Sequence, residues 1–563
     1  MKGHLLRISL LLGCILILFS SSNLFSDQMF SFHDVTQPAR VLEFSNALRD
    51  GQLPPRISHS FSFGMGYPLF NFYAPTAYWI TSTFHLLGLS VAAAIKLSFF
   101  LSVCVLGVGS YLLFTTYFSA TAAILGALLL VSSHYIATEI FVRGNIAEMW
   151  FLALFPLTLY TIRSLSRGLR PSVFVFLTVI LSALLTAHNV LSLIGFGLII
   201  LFSFTLPRKK IIFTALFCSF VLSAYFLVPA FGEMNWTHAK QVASNTIYNE
   251  NFVCPKQLWS SPWAFGGSVV GCTDGMSFML GKVLLSLGIL GIVSYLYSLM
   301  KHWQSKTRNV ADPLYIYALM AIGGIFLSLE YSLSIWKMFE PILKLFQFPW
   351  RFLVFGIFGL SFFAAYVTNF IRPKVVQILL VVVFAILAIG MSRPYFISNP
   401  QKTWSQEEFD ERYLSPIYIK NQVVYRIPEY IPSSVDYQWW VDLQAMKPPV
   451  FSSVIAPQDN GTVEEVVQEV GSYEVTTSSK SFFINKHYLP YWNIYIDNTK
   501  YIPTFFDQYG RPNVRITSNK PVSRLKIYYS QTPLEKFSNI LTIMGIVLLL
   551  CLIQPKIWKR LVR

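Results

Sequence analysis

The sequence predicts a polytopic α-helical membrane protein with about 12 transmembrane helices and a C-terminal external β-rich domain. Three observations predict it. The 563 residues are 54% hydrophobic and only 12% charged, about half the charge of an average soluble domain. Apolar runs near the length of a bilayer crossing recur along the chain. The net charge of +16 gathers in alternate loops, as the positive-inside rule requires. This composition excludes a soluble enzyme, a disordered chain and a disulfide scaffold.

The apolar runs lie at 5–24, 91–117, 119–138, 146–163, 171–187, 189–207, 211–231, 277–300, 314–330, 350–371, 374–391 and 537–554. The segment 75–89 is short and aromatic and reads as a helix at the membrane interface. With both termini in the cytoplasm, the inside connections carry seventeen basic residues, from Lys2 and Arg7 to Lys559, Arg560 and Arg563, against one acid, Asp312. That balance equals the whole net charge, so the basic surplus records topology and offers no nucleic-acid surface. A crossing at 75–89 would turn the later basic loops outward. Residues 1–25 lack an A-x-A cleavage site and read as an uncleaved first helix, with a signal peptide as the alternative.

The organisation that follows is a membrane module over 1–391 with external loops 25–90 and 232–276. An external domain over 392–536 comes next, and a final helix with a basic cytoplasmic tail covers 537–563. Alternating stretches such as SFFINKHY and SRLKIYY give the domain its β-rich reading. Cys14, Cys104, Cys218 and Cys551 fall in apolar runs. Cys254 and Cys272 share one external loop, and spacing alone leaves a disulfide between them open.

Eleven of the twelve acids before residue 392 fall outside or at the outer ends of helices. Ionisable groups at membrane depth are costly and mark function or pairing, so this one-sided distribution points to a site at the outer leaflet. Asp34 follows the first crossing by about ten residues, and capping of the next helix competes with a functional role. That next helix has Pro38 at its start, Gly51 at its end and Val41, Phe44 and Leu48 on one face, the pattern of an amphipathic surface helix. Glu139 and Arg143 stand four apart and pair on a helix, or hold a phosphate. Glu148, His188 and Asn189 fall in outer turns. Arg351, beside Gln347 and Trp350, is either an interfacial anchor or a phosphate ligand. Lys96 and Lys282, one turn inside their helices, either snorkel or contact a lipid phosphate. No Walker loop, dinucleotide fingerprint, zinc motif or paired CxxC is present, so no nucleotide cofactor has support and no metal ligand set is assigned.

Several stretches resemble the GT-C superfamily of membrane glycosyltransferases. The resemblance is closer to the bacterial pyruvoyl-tetrahydropterin-synthase-related membrane proteins and their YfhO-like relatives. These stretches are HD at 33–34, LRDGQLPPR at 48–56, GMGYPLFNFYAP at 64–75, FVRGNIAEMW at 141–150, AHN at 187–189, FGGSVVGCTDGMSFMLG at 265–281, QFPWRFL at 347–353 and LPYWNIYIDN at 489–498. They run in order along most of the chain. The sequence departs where many relatives carry His four residues after the HD aspartate; here that position is Pro38.

The resemblance implies a bacterial plasma-membrane enzyme. It would transfer a sugar from a polyprenyl-phosphate donor to a glycan, lipid or protein acceptor on the external face. Asp34 matches the catalytic acid of the first loop and becomes the expected general base. Arg143, Arg351, Lys96 and Lys282 are the expected donor-phosphate ligands, and His33, Glu148, His188 and Asn189 the residues that orient the acceptor. A divalent metal is left open, since GT-C relatives differ in its use. Two rival readings are a lipid-linked glycan transporter or flippase, and a noncatalytic envelope assembly protein.

Overall fold

All twelve apolar runs contain helices, but of unequal length. The computed structural model describes residues 2–558 apart from 245–246, 274, 305–313, 422, 427, 439–448, 452, 518 and 555–556. Among the described residues, seven helices are long and apolar enough to cross a membrane. They are Val91–Thr115, Ala120–Arg143, Ile146–Arg167, Lys282–Lys301, Pro349–Asn369, Lys374–Tyr395 and Pro533–Leu552. The pair Lys209–Leu222 and Ala224–Gly232, bent by 67°, makes an eighth if it is one span. Gly3–Phe19, Pro171–Leu185, Leu191–Phe204 and Leu314–Ser328 are shorter. Twelve crossings were expected, and turns account for part of the difference. The stretch Thr186–Val190 stops one helix at Leu185 and delays the next to Leu191. Lys306, Arg308, Asp312, Lys556 and the tail from Lys559 lie outside the described residues.

Small residues let the central helices meet closely, the common solution where lipid supplies no hydrophobic drive between helices. A Cβ on Gly359 would lie 2.4 Å from the amide nitrogen of Ala321, and one on Gly291 would lie 2.0 Å from the carbonyl of Phe363. The outer helices show the opposite character. Val375, Leu379 and Ile386, and on the last helix Ile540, Ile543 and Val547, are exposed. Such apolar exteriors belong to a multi-pass membrane protein.

The first long loop is largely buried structure. Strand β1 (Met29–Phe30) pairs antiparallel with β2 (Thr403–Trp404). The helix Gln37–Arg49 begins with Pro38 in its first turn, and Gly51 at φ +80° follows its end. The expected surface helix with one wet face is not what forms. Gln37, Arg40 and Glu43 are buried along with Val41 and Phe44, because the polar face has partners: Glu43 accepts from Ser58 at 2.6 Å and Asn46 at 3.0 Å. The helix Thr76–Leu86 packs against it and is too short to span.

Residues 396–435 are largely helical, and Phe396, Phe409, Tyr418 and Val424 join the main core. Two larger sheets follow from Ile455. Strands β3 (Ile455–Pro457), β6 (Ser481–Ile484) and β9 (Asn513–Arg515) form one sheet in the order β3-β6-β9. Strands β4 (Val463–Glu469), β5 (Ser472–Thr477), β7 (Trp492–Ile496), β8 (Thr499–Tyr501) and β10 (Ser523–Tyr529) form another, ordered β4-β5-β10-β7-β8. All paired strands are antiparallel. Phe482, Ile494, Leu525 and Ile527 build a separate core that Ile57 of the first loop joins.

That β region grips the turn 62–66, where Ser62, Phe63, Gly64 and Gly66 have positive φ. His487 donates its amide to Met65 at 3.0 Å and meets Ser62 Oγ through Nε2 at 2.5 Å, while Lys486 Nζ donates to the Gly64 carbonyl at 2.8 Å. Cys254 and Cys272 form a disulfide with Cα atoms 5.5 Å apart.

Candidate functional site

Asp34 stands just before the helix Gln37–Arg49, with its side chain about a quarter exposed. Its backbone carbonyl accepts from the Gln37 amide at 3.0 Å. Its carboxylate does not cap the helix through a backbone amide. It accepts instead from Thr36 Oγ1 at 2.8 Å and Gln37 Nε2 at 2.6 Å, and lies 3.5 Å from Arg40 Nη2. Arg40 is buried, donates to Tyr78 at 3.2 Å and lies over the Tyr73 ring at 4.7 Å. Tyr78 in turn donates to Gln37 at 2.8 Å. One oriented carboxylate, with a fixed cation beside it, therefore faces partly open space.

The second group sits on the turn that follows the helix His134–Thr138. Residues Glu139–Arg143 form one π-helical turn, a feature frequent at functional sites, and Gly144 then reverses the chain at φ +69°. A Cβ on Gly144 would fall 2.1 Å from the Phe32 ring. Only glycine lets the two segments touch there, and the contact sets their hydrogen bonds. The His33 amide donates to Val142 at 2.8 Å and the Asp34 amide to Arg143 at 3.0 Å.

Arg143 pairs with Glu139 and also with Glu148 at 2.8 Å, and stacks on Trp350 at 4.3 Å. Glu148 accepts from Tyr135 at 2.6 Å. Arg351 Nε lies 4.0 Å from Glu148, and its Nη1 donates to the Phe346 carbonyl at 2.8 Å. These two arginines and two carboxylates are buried and balanced in charge. Two buried polar atoms of this group, Arg351 Nε and Glu139 Oε2, and the Trp350 Nε1 beside it have no hydrogen-bond partner. A buried unpaired donor is costly to leave unsatisfied, so the two free donors favour an acceptor brought by a ligand.

His188 is buried beside this group. Its Nδ1 accepts from the amides of Val190 and Leu191, both at 3.3 Å. Burial, and then the Arg351 charge, push it down to about 3. It is therefore a neutral imidazole carrying its proton on Nε2.

The remaining candidates separate from the cluster. Asn189 is a clamp on the first loop, accepting from Ala74 at 2.8 Å and donating to the Phe72 carbonyl at 2.9 Å. Lys96 has protein partners, its Nζ donating to the carbonyls of Ser26 at 2.5 Å and Gln28 at 3.1 Å. Lys282 lies over Trp259 at 5.9 Å. Arg143 is committed to its two carboxylates. Of the four expected phosphate ligands, Arg351 has a fully buried donor, Nε, without a hydrogen-bond partner.

His33 lies on the other side of the segment, its Nε2 3.0 Å from the Phe265 carbonyl. It lines a cleft of about 490 Å³ with Lys402, Arg412, Trp404 and Gln401. Among the described residues no acid lines this cleft, and Arg412 lies over Trp404 at 5.1 Å. Sequence reasoning missed Gln37, Arg40, Tyr73, Tyr78, Lys402 and Arg412. Gln37 and Arg40 had a signal, spaced three and six residues after Asp34. The others come from distant segments. Among the described residues no three His, Cys, Asp or Glu side chains converge as metal ligands. Asp34 is surrounded by donors, which does not fit a resident cation.

No protein-family model matches the chain, and no curated protein does. Solved structures similar at low identity include two glycosyl-transferring enzymes. Arabinofuranosyltransferase AftD from Mycobacteria matches at 14% identity and a TM-score of 0.46, over 70% of this chain and 27% of that one. The oligosaccharyltransferase of Archaeoglobus fulgidus matches at 12% identity and a TM-score of 0.44, over 73% of this chain and 60% of that one. The chain thus spans about a quarter of the length of the first and three fifths of the second.

Proposed function

We propose that the chain is a membrane glycosyltransferase that moves a sugar from a polyprenyl-phosphate donor to an acceptor hydroxyl at the outer leaflet of a bacterial plasma membrane. The observation that carries this reading is the hydrogen-bonded seam between Asp34 and Arg143. It sets an oriented, partly open carboxylate beside a buried arginine group that keeps free donors. The motifs at 33–34, 64–75, 141–150 and 347–353 that resemble GT-C enzymes supply those same residues.

In this reading Asp34 takes the proton of the acceptor hydroxyl. The acceptor oxygen bonds to the anomeric carbon as the bond from that carbon to the phosphate oxygen breaks, and polyprenyl phosphate departs with the electron pair. A general base of this kind contributes about 10²–10⁴-fold. Arg40, Gln37 and Thr36 hold the carboxylate in place. Arg351, the Trp350 indole N–H and Nε2–H of His188 stabilise the leaving phosphate, where preorganised donors away from water are strongest. Arg143 and Glu148 position Arg351. Lys402 and Arg412 raise the local concentration of an anionic headgroup.

The test is transfer of labelled sugar from cell-derived polyprenyl-phosphate sugars by the purified protein in lipid vesicles. Asp34→Asn should lower the rate by about 10²–10⁴-fold and melt with the parent. Equal rates would remove Asp34 from the chemistry. Mass spectrometry of lipid-linked sugars in a deletion strain names the donor as the species that accumulates.

A further inference from the structure

We propose that the cleft between the first loop and the five-stranded sheet is a distal subsite for a neutral saccharide chain. The inference rests on the glycosyl-transfer reading and names how its acceptor is held. The cleft encloses about 650 Å³, and its lining includes Asp50 and Gln52 on the loop and Tyr495, Asn498, Lys526 and Tyr528 on the sheet.

Strand alternation explains the sheet side. Along β10, Leu525 and Ile527 turn into the core, while Lys526 and Tyr528 turn outward. Lys526 stands opposite Tyr495 on β7. The rings of Tyr495 and Tyr528 are 6.1 Å apart and within 6° of parallel. Two parallel aromatic rings on the water-facing side of a sheet offer apolar surface, with amide, carboxylate and ammonium groups in the same cleft lining. A sugar ring has the matching chemistry, apolar C–H faces with a rim of hydroxyls that both donate and accept. Charge separates this cleft from the one beside His33. Here Asp50 is matched by Lys526, with His59 beside them, whereas there two cations and a histidine meet no acid among the described residues. The first suits an uncharged chain and the second an anionic group.

Position gives the subsite its role. Asp34 precedes the helix Gln37–Arg49 and Asp50 follows it. Thirteen helical residues rise about 20 Å, so the cleft stands at the far end of the helix that orients the proposed base. One sugar cannot occupy both places, but a chain of several units reaches from one to the other. The acceptor is then recognised by its length as well as by its reacting end.

The experiment uses the full-length protein in detergent on an array of short neutral oligosaccharides in gluco, manno, galacto and arabino series. The parent and Asp34→Asn should capture the same series. Tyr528→Ala and Tyr495→Ala should each lose about tenfold in affinity, as removal of an aromatic contact does, and Tyr528→Phe should retain it. Capture of no neutral oligosaccharide by the parent overturns the proposal. So does undiminished binding by both alanine variants when they melt with the parent, or loss of binding in Asp34→Asn to the extent seen in Tyr528→Ala. Tyrosine-dependent binding alongside unchanged transfer by Asp34→Asn sinks the catalytic reading and leaves the subsite standing.

Discussion

The backbone amide of Asp34 donates to the carbonyl of Arg143 at 3.0 Å, joining segments 109 positions apart in the chain. The arginine thus bears on the carboxylate through the main chain, while its guanidinium is held by Glu139 and Glu148. Anything that shifts the turn at 139–144 shifts Asp34 with it.

Gly144→Ala should break this seam. The new methyl group would meet Phe32 at 2.1 Å, at a φ of +69° that side chains rarely adopt. A loss of more than about 2 kcal/mol is expected from overpacking and the left-handed backbone together. Adding Phe32→Ala should recover part of it. Thermal melting of the single and double variants gives the coupling, and strict additivity would show that the two residues do not meet.

Glu148→Gln keeps the shape of the side chain and removes the charge between Arg143 and Arg351. Breaking a buried pair by losing one partner costs about 3–5 kcal/mol. Melting in detergent should fall accordingly, and an unchanged melting temperature would deny the network its structural weight.

Arg40→Gln removes the cation 3.5 Å from Asp34 and lets the carboxylate swing. Misplacement of a reacting group by about 1 Å costs on the order of 10²-fold. We expect kcat to drop between about 10- and 100-fold with little change in the donor KM. A rise in KM alone would mean that Arg40 binds donor and does not position the base.

Acid should destabilise the protein through histidines. Burial holds His188 and His487 down at about 3, and burial with the Lys486 charge holds His59 down at about 4, against about 6.5 in an unfolded chain. Between these limits the unfolded state binds more protons. Stability is therefore full above about pH 6.5 and is lost as the pH falls towards 4. Each histidine contributes up to about 1.4 kcal/mol per pH unit. Melting followed across this range should slope for the parent and flatten for His188→Gln combined with His487→Gln. Identical slopes would assign the loss to other groups.

Helix positions were legible because apolar runs are a property of composition. Helix ends were not: His188 and Asn189 mark a turn, but the helices stop at Leu185 and resume only at Leu191. The pairing of Glu139 with Arg143 could be read from their spacing. Its junction with Arg351 could not, because it depends on the register of helices some two hundred residues apart. The helix Gln37–Arg49 looked one-sided from Val41, Phe44 and Leu48. Its polar face proved buried because Ser58, Tyr78 and Asn46 supply hydrogen-bond partners, and nothing local announces a partner from another segment. Lys96 shows the same dependence on distant partners. A lysine near a helix end suggests a headgroup, yet two carbonyls of the preceding loop take up its ammonium.

The grip of Lys486 and His487 on the turn 62–66 makes the β region and the first loop halves of one unit of inheritance. A chain cut ahead of residue 450 would take His487 from Ser62 and Lys486 from the Gly64 carbonyl, in a turn whose left-handed residues need holding. Chimeras between relatives should work only when residues 58–67 and 486–492 travel together.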